Sequence, residues 1–191
     1  METILAVPEN ILGKGLLSDN QMIDFLLAKN PELDTAFAKR LSALYIKEAA
    51  AEGVNHDIAF SQMCTETNFL KFNKIVTREQ NNFGGIGALS ARLRGESFPS
   101  EQIGVRAQIQ HLKGYATAKP LTQKKVDPYY DYITIGSAPT IYSLSQMWST
   151  DAQYGDKIEN VLDDVYALAF GAQKNLSGQI LSAASMPKSN Y

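Results

Sequence analysis

Residues 34–69 read DTAFAKRLSALYIKEAAAEGVNHDIAFSQMCTETNF, and this stretch decides the fold. Phe37, Leu41, Leu44 and Tyr45 recur at helical spacing, so the first half predicts a helix from Asp34 to Glu52 that stops at Gly53. Asn55 or Asp57 then caps a third helix running through Phe69. Ile58, Ala59, Phe60, Met63 and Cys64 cover more than one face of it. A helix apolar over most of its circumference sits at the centre of its domain.

Outward from this pair the pattern stays helical. Ser18 opens a capping box with Gln21, followed by Met22, Ile23, Leu26 and Leu27, and Asn30-Pro31 ends that first short helix. Ser100 caps a helix carrying Val105, Ile109, Leu112 and Ala116. Pro139 is expected to open another, with Ile141, Leu144 and Trp148, and a last one runs from about Tyr154 to Phe170. Alternating strand patterns are absent apart from a short hairpin within 85–98. The expectation is an all-α chain: an extended arm over 1–17, one domain over 18–171, and a Ser-rich tail or linker over 172–191.

Composition narrows the function. The net charge of −2 and the scattered lysines and arginines argue against a nucleic-acid partner, which needs clustered positive charge. The longest apolar runs are too short for membrane insertion. A single cysteine, Cys64, excludes a disulfide framework and a thiolate zinc site, and it falls in an apolar helix where thiols are inert. His56 and His111 are not at metal-ligand spacing and read as structural, so no metal or cofactor is expected. The first residues show no basic segment leading into a long apolar one, so no signal peptide is visible.

Glu66 is the most informative residue. On a helix it stacks with Ala59, Gln62 and Met63, which places its carboxyl on the buried face. Desolvation there raises its pKa and keeps it protonated near neutrality, as a general acid requires. The other reading is a buried carboxylate that pairs with a lysine or caps a neighbouring helix. From Asn73 to Pro99 periodicity fails, and Gly84, Gly85, Gly87 and Gly95 predict a flexible segment over a cleft, most mobile at about 88–98. Within it QNNFGGIGA (80–88) offers amides at Asn81 and Asn82 and a backbone that a ligand can approach. Phe69, Phe83 and Trp148 are among the aromatics able to stack on a sugar face, although most such residues belong to cores.

The blocks EGVNHDIAFSQMCTETNFLKF (52–72), EQNNFGGIGA (79–88), SFPSEQIGVRAQIQHLKGYA (97–116) and GSAPTIYSLSQMWSTDAQYGDKI (136–158) resemble, in order and spacing, the bacterial glucosaminidase domain of glycoside hydrolase family 73. The resemblance covers roughly Gly13 to Ala169. It implies a lysozyme-like helical fold with a hairpin beside the cleft. It also implies cleavage of the β-1,4 bond between N-acetylglucosamine and N-acetylmuramic acid in peptidoglycan. By the same resemblance Glu66 of Glu66-Thr67-Asn68-Phe69 is the catalytic acid, Asn81-Asn82-Phe83-Gly84 flanks the cleft, and Tyr154 matches a tyrosine important to activity. Many members carry a second carboxylate on the hairpin; Glu96 is the candidate and Glu101 the reserve. The implied partner is the peptidoglycan glycan strand, bound by a monomer in the cell envelope or outside the cell. The rival readings are a lytic transglycosylase, which needs one glutamate and releases an anhydro sugar, and a non-catalytic wall-binding module.

Overall fold

The structure is a computed structural model and describes residues 4–72, 77–88, 95–171, 173–174 and 180–181. Five α-helices form the body: α1 (Asp19–Lys29), α2 (Thr35–Glu52), α3 (His56–Thr67), α4 (Glu101–Ala116) and α5 (Tyr154–Phe170). Their starts are set by local chemistry. The Ser18–Gln21 capping box is formed, and the side chains of Asp34, Asn55 and Ser100 accept backbone N–H groups at the heads of α2, α3 and α4. Gly53 closes α2 in the left-handed conformation, with φ +73°.

α3 is the central helix. Ten of its twelve residues are buried, and it packs between α2 and α5 while α4 lies across α2. Burial all round fits its apolar composition, and it puts Cys64 in the core, where desolvation raises the thiol's pKa well above its usual range. The helix stops at Thr67, two residues short of the expected end. Asn68, Phe69, Leu70 and Phe72 all have left-handed φ between 50° and 60°. That tight, unfavourable winding is held by Phe69 N–H on the Cys64 carbonyl, Phe72 N–H on the Thr67 carbonyl, and Leu70 N–H on the Thr67 hydroxyl.

Two expectations need correction. The arm is extended but not separate. Ile11 is fully buried, its N–H donates to the Pro139 carbonyl (2.9 Å) and its carbonyl accepts from Asn55 N–H (2.8 Å). The second concerns the helix expected from Pro139. It shrinks to one 3-10 turn at Tyr142–Leu144, because Thr140 and Ser143 bond to each other's backbone and side chain and so compete with helix hydrogen bonds. Gln146, at φ +70°, then turns the chain away.

Part of the tail pairs with the arm. Strands β1 (Ile4–Leu5), β2 (Gln173–Lys174) and β3 (Ile180–Leu181) form an antiparallel sheet in the order β1-β3-β2, with Ile4 opposite Leu181 and Gln173 opposite Leu181. The expected hairpin and lid have their middle, residues 89–94, outside the described residues; the two described ends are joined by Glu96 N–H donating to the Ile86 carbonyl (2.8 Å). Among the described residues no helix is long and apolar enough to cross a membrane.

Candidate active site

Packing of α3 on α5 brings together two residues 88 positions apart. The hydroxyl of Tyr154, the first residue of α5, donates to Oε1 of Glu66 in the last turn of α3. The indole N–H of Trp148 donates to the Gly84 carbonyl at 3.2 Å and is near enough to the same carboxyl to favour its ionised form. Burial raises the Glu66 pKa to about 7, outweighing the Tyr154 and Trp148 hydrogen bonds that favour the carboxylate. Burial, then the neighbouring Glu66, pushes the Tyr154 phenol well above its ordinary value, so it remains a neutral donor.

Gly85 opens the wall in front of this acid. Its φ is +64°, and a Cβ there would sit 2.8 Å from Oε2 of Glu66. Gly85→Ala is therefore expected to remove about 10²-fold from kcat through displacement of the carboxyl. It should also cost about 1–2 kcal/mol in strained backbone. Assay and melting curve together check this, and an alanine variant as active as the parent would show that the approach is not needed.

Gly85 also borders a groove of about 220 Å3 whose walls include Gly87, His111, Tyr115, Tyr129 and Trp148. Tyr132 and Met147 stand at its rim, and Tyr132 is 84% exposed. An aromatic surface left in water at the mouth of a groove is suited to stacking on the apolar face of a sugar ring. A larger, more open depression of about 690 Å3 lies between α2 and the start of α4. Among its described lining residues the one carboxylate, Glu101, is held in a two-pronged pair by Arg40 at 2.8 and 2.9 Å. We place the chemistry beside the smaller groove, because two of its lining residues, Gly85 and Trp148, also meet the Glu66 carboxyl.

The 80–88 loop works as a clamp. Asn82 is fully buried; its amide donates to the carbonyls of Ile86 (2.8 Å) and Glu96 (3.1 Å), and its oxygen accepts from Ile86 N–H (3.0 Å). Gln80 reaches the Gly95 carbonyl at 2.7 Å, and Asn81 reaches that of Phe98 at 3.0 Å. These bonds carry Glu96 to the groove, where its carboxylate accepts from the Tyr129 hydroxyl and raises that phenol's pKa.

Of the expected site residues, Trp148 lines this groove and bonds Gly84, Glu66 approaches Gly85 in its wall and holds Tyr154, and Glu96 meets Tyr129 of the wall. Several expected contacts are corrected. Asn82 and Phe83 have no exposed surface and cannot touch a ligand here. Asn81 borders the outer depression, and Phe69 packs edge-on to Phe25. Glycine-rich loops bury their polar side chains to hold themselves, a role that composition does not distinguish from ligand binding.

The site also contains residues that the sequence reading left out. Gln62, one turn before Glu66, donates to the Tyr154 oxygen at 3.0 Å. Tyr115 and Tyr132 line the groove, as does His111, whose Nδ1 is 2.7 Å from Asp127. The four-residue spacing of His111 and Tyr115, on one face of α4, was the available signal. His56 is structural as expected, its Nε2 lying 2.9 Å from the Leu17 carbonyl.

A neutral carboxyl poised beside an aromatic-walled groove is the equipment of a glycoside hydrolase. Residues 42–167 match the glucosaminidase family, described as mannosyl-glycoprotein endo-beta-N-acetylglucosaminidase, so the chain belongs to that family and is a glycosidase. It is 41% identical over 152 residues to a Borreliella burgdorferi protein described as uncharacterised, covering 80% of this chain and 74% of that one. Among solved structures it resembles S. aureus autolysin E in complex with the muropeptide NAM-L-Ala-D-iGlu, with TM-score 0.55 and 16% identity over 86% of this chain and 73% of that one. It also resembles a catalytic mutant of autolysin E in complex with the disaccharide NAG-NAM, with TM-score 0.54 and 14% identity over 87% and 73% of the two chains. At these identities the likeness establishes the fold, which is the helical, lysozyme-like one.

Proposed function

We propose that this chain hydrolyses the β-1,4 bond between N-acetylglucosamine and N-acetylmuramic acid in peptidoglycan glycan strands, with Glu66 as general acid, acting in the cell envelope or outside the cell. The observation that carries the reading is the Glu66 carboxyl, raised to about 7 and set against Gly85 in the wall of the aromatic groove. The peptidoglycan fragments bound by the autolysin E structures supply the substrate class. The leaving oxygen takes the proton of Glu66 as the C1–O bond breaks, the bonding electrons staying with that oxygen. A water oxygen then bonds to C1, and Glu96 takes the water's proton.

Product analysis tests the reading. Incubation with purified peptidoglycan followed by mass spectrometry should yield fragments ending in a reducing N-acetylglucosamine. Anhydro-muramyl products, lighter by one water, would instead mark a lytic transglycosylase, and intact glycan would mark a binding module.

The second carboxylate gives a separate prediction. Glu96 meets the Tyr129 hydroxyl in the groove wall, whereas Glu101 is committed to Arg40. Glu96→Gln is expected to lower kcat by about 10²-fold, the lower end for lost general-base assistance. Glu101→Gln should retain most activity. Equal rates for the parent and Glu96→Gln would leave Glu66, Tyr154 and the substrate's own acetamido group as the mechanism.

A further inference from the structure

The buried bonds behind Tyr154 all point one way. The Ala59 carbonyl can only accept, and it faces the amide nitrogen of Gln108 at 3.0 Å. The second hydrogen of that nitrogen goes to Oε1 of Gln62, at 2.8 Å. Gln108 Oε1 is filled by the Tyr45 hydroxyl. With its oxygen engaged, Gln62 turns its own NH2 to the Tyr154 oxygen, at 3.0 Å. The single hydroxyl proton of Tyr154 is thereby sent to Oε1 of Glu66. Tyr45, Gln62 and Gln108 are fully buried and Tyr154 is 4% exposed, so water is not at hand to replace a link.

Neither amide can turn round. A reversed Gln108 would set its oxygen against the Ala59 carbonyl oxygen, and a reversed Gln62 would set two NH2 groups face to face. Each leaves buried polar atoms unsatisfied. The backbone of α3 therefore dictates the direction of the whole series.

We infer that Gln62 and Gln108 are positioning residues that fix Tyr154 as a donor to Glu66 and so keep the reacting proton of Glu66 on Oε2. Oε1 already accepts the tyrosine proton, so an acid proton has its place on the other oxygen. Oε2 is the one that faces Gly85, itself a wall residue of the groove. Among the described residues, the groups acting on the carboxyl are Tyr154 from α5 and Trp148 from the loop before it. When Oε2 gives up its proton, the resulting carboxylate already has the Tyr154 donor in place, and nothing has to rotate.

The inference rests on Glu66 being the acid, and the test separates the two claims. Gln62→Met removes the amide, and Gln62→Glu keeps its shape but offers Tyr154 an acceptor in place of a donor. Both are expected to lower kcat about 10–10²-fold with little change in KM, less than the roughly 10²–10³-fold for outright loss of one preorganised donor, because Tyr154 itself remains. Both should move the basic limb of the kcat/KM profile up by about one pH unit, because the carboxylate loses support.

Combined with Tyr154→Phe, Gln62→Met should add almost nothing, since both act through one hydroxyl. A folded Gln62→Met with the parent's kcat and pH limb, or with an effect additive to Tyr154→Phe, overturns the inference. Should the position 62 variants fail to fold, neutron diffraction on parent crystals well below neutral pH decides the matter. A deuteron on Oε2 supports the inference and one on Oε1 overturns it. If Glu66→Gln remains active, the general-acid reading itself has failed. If Glu66→Gln is inactive while the Gln62 variants behave as the parent, only the relay has failed.

Discussion

Glu66→Gln is expected to lower kcat on peptidoglycan by about 10²–10⁴-fold, the range that a general acid supplies. An amide fills the same volume and still accepts the Tyr154 hydroxyl, but it has no proton to give at the pH of the reaction. The parent should lose kcat/KM as pH rises past about 7, where Glu66 ionises. The variant's residual rate should lack that limb.

The same substitution should raise stability above neutral pH. The native carboxyl holds its proton up to about 7, against 4.5 for an ordinary glutamate, so between those values the native state binds more protons than the unfolded one. The parent therefore loses stability as pH rises through this window, by on the order of 3 kcal/mol in the limit of complete burial. Glu66→Gln escapes that loss and should melt above the parent at pH 8 while differing little at pH 4. A variant with more than half the parent's activity would remove Glu66 from the mechanism. Identical pH dependence of melting would remove the desolvated carboxyl.

Asp57→Ala is expected to have the largest effect on stability. Its buried carboxylate accepts from Leu16 N–H (2.7 Å), Leu17 N–H (3.2 Å) and the Tyr166 hydroxyl (2.7 Å), and His56 Nε2 lies 3.2 Å away. One side chain at the head of α3 thus ties the arm to α5. Gly15 lies so close that a Cβ there would be 2.3 Å from Oδ1. Alanine leaves these donors buried and unpaired, a loss of about 3–5 kcal/mol. For a chain of this size that lowers the melting temperature by roughly 10 °C or more. Activity below the transition should survive, because Asp57 lies at the opposite end of α3 from Glu66. A loss under about 1 kcal/mol in denaturant titration would mean that water replaces the carboxylate in the network.

The helices were legible because their signals are local. Asn55, Ser100 and the Ser18–Gln21 pair begin helices where their side chains bond the first free N–H groups, and Gly53 ends one where φ must be positive. Local chemistry was misread at Pro139, where the Thr140 and Ser143 hydroxyls win the backbone groups that a helix would use. It was misread again at Asn68, where side-chain and backbone bonds sustain an unfavourable winding that no propensity foretells.

For the site, the sequence by itself determined that Glu66 carries its carboxyl on an apolar helix face, since spacing on one helix settles which neighbours desolvate it. The family resemblance added Tyr154. What only tertiary structure decided was what these residues meet. Gln62 looked like one more occupant of the face beside Glu66, and it became part of a directed series only when α4 and α5 brought Gln108 and Tyr154 against it. Asn82 offered an amide that either a ligand or the loop could take, and the fold gave it to the Ile86 and Glu96 backbone. Periodicity fixes which side of an element is buried; a hydrogen bond needs a partner at about 3 Å, and partners distant in sequence are chosen by packing.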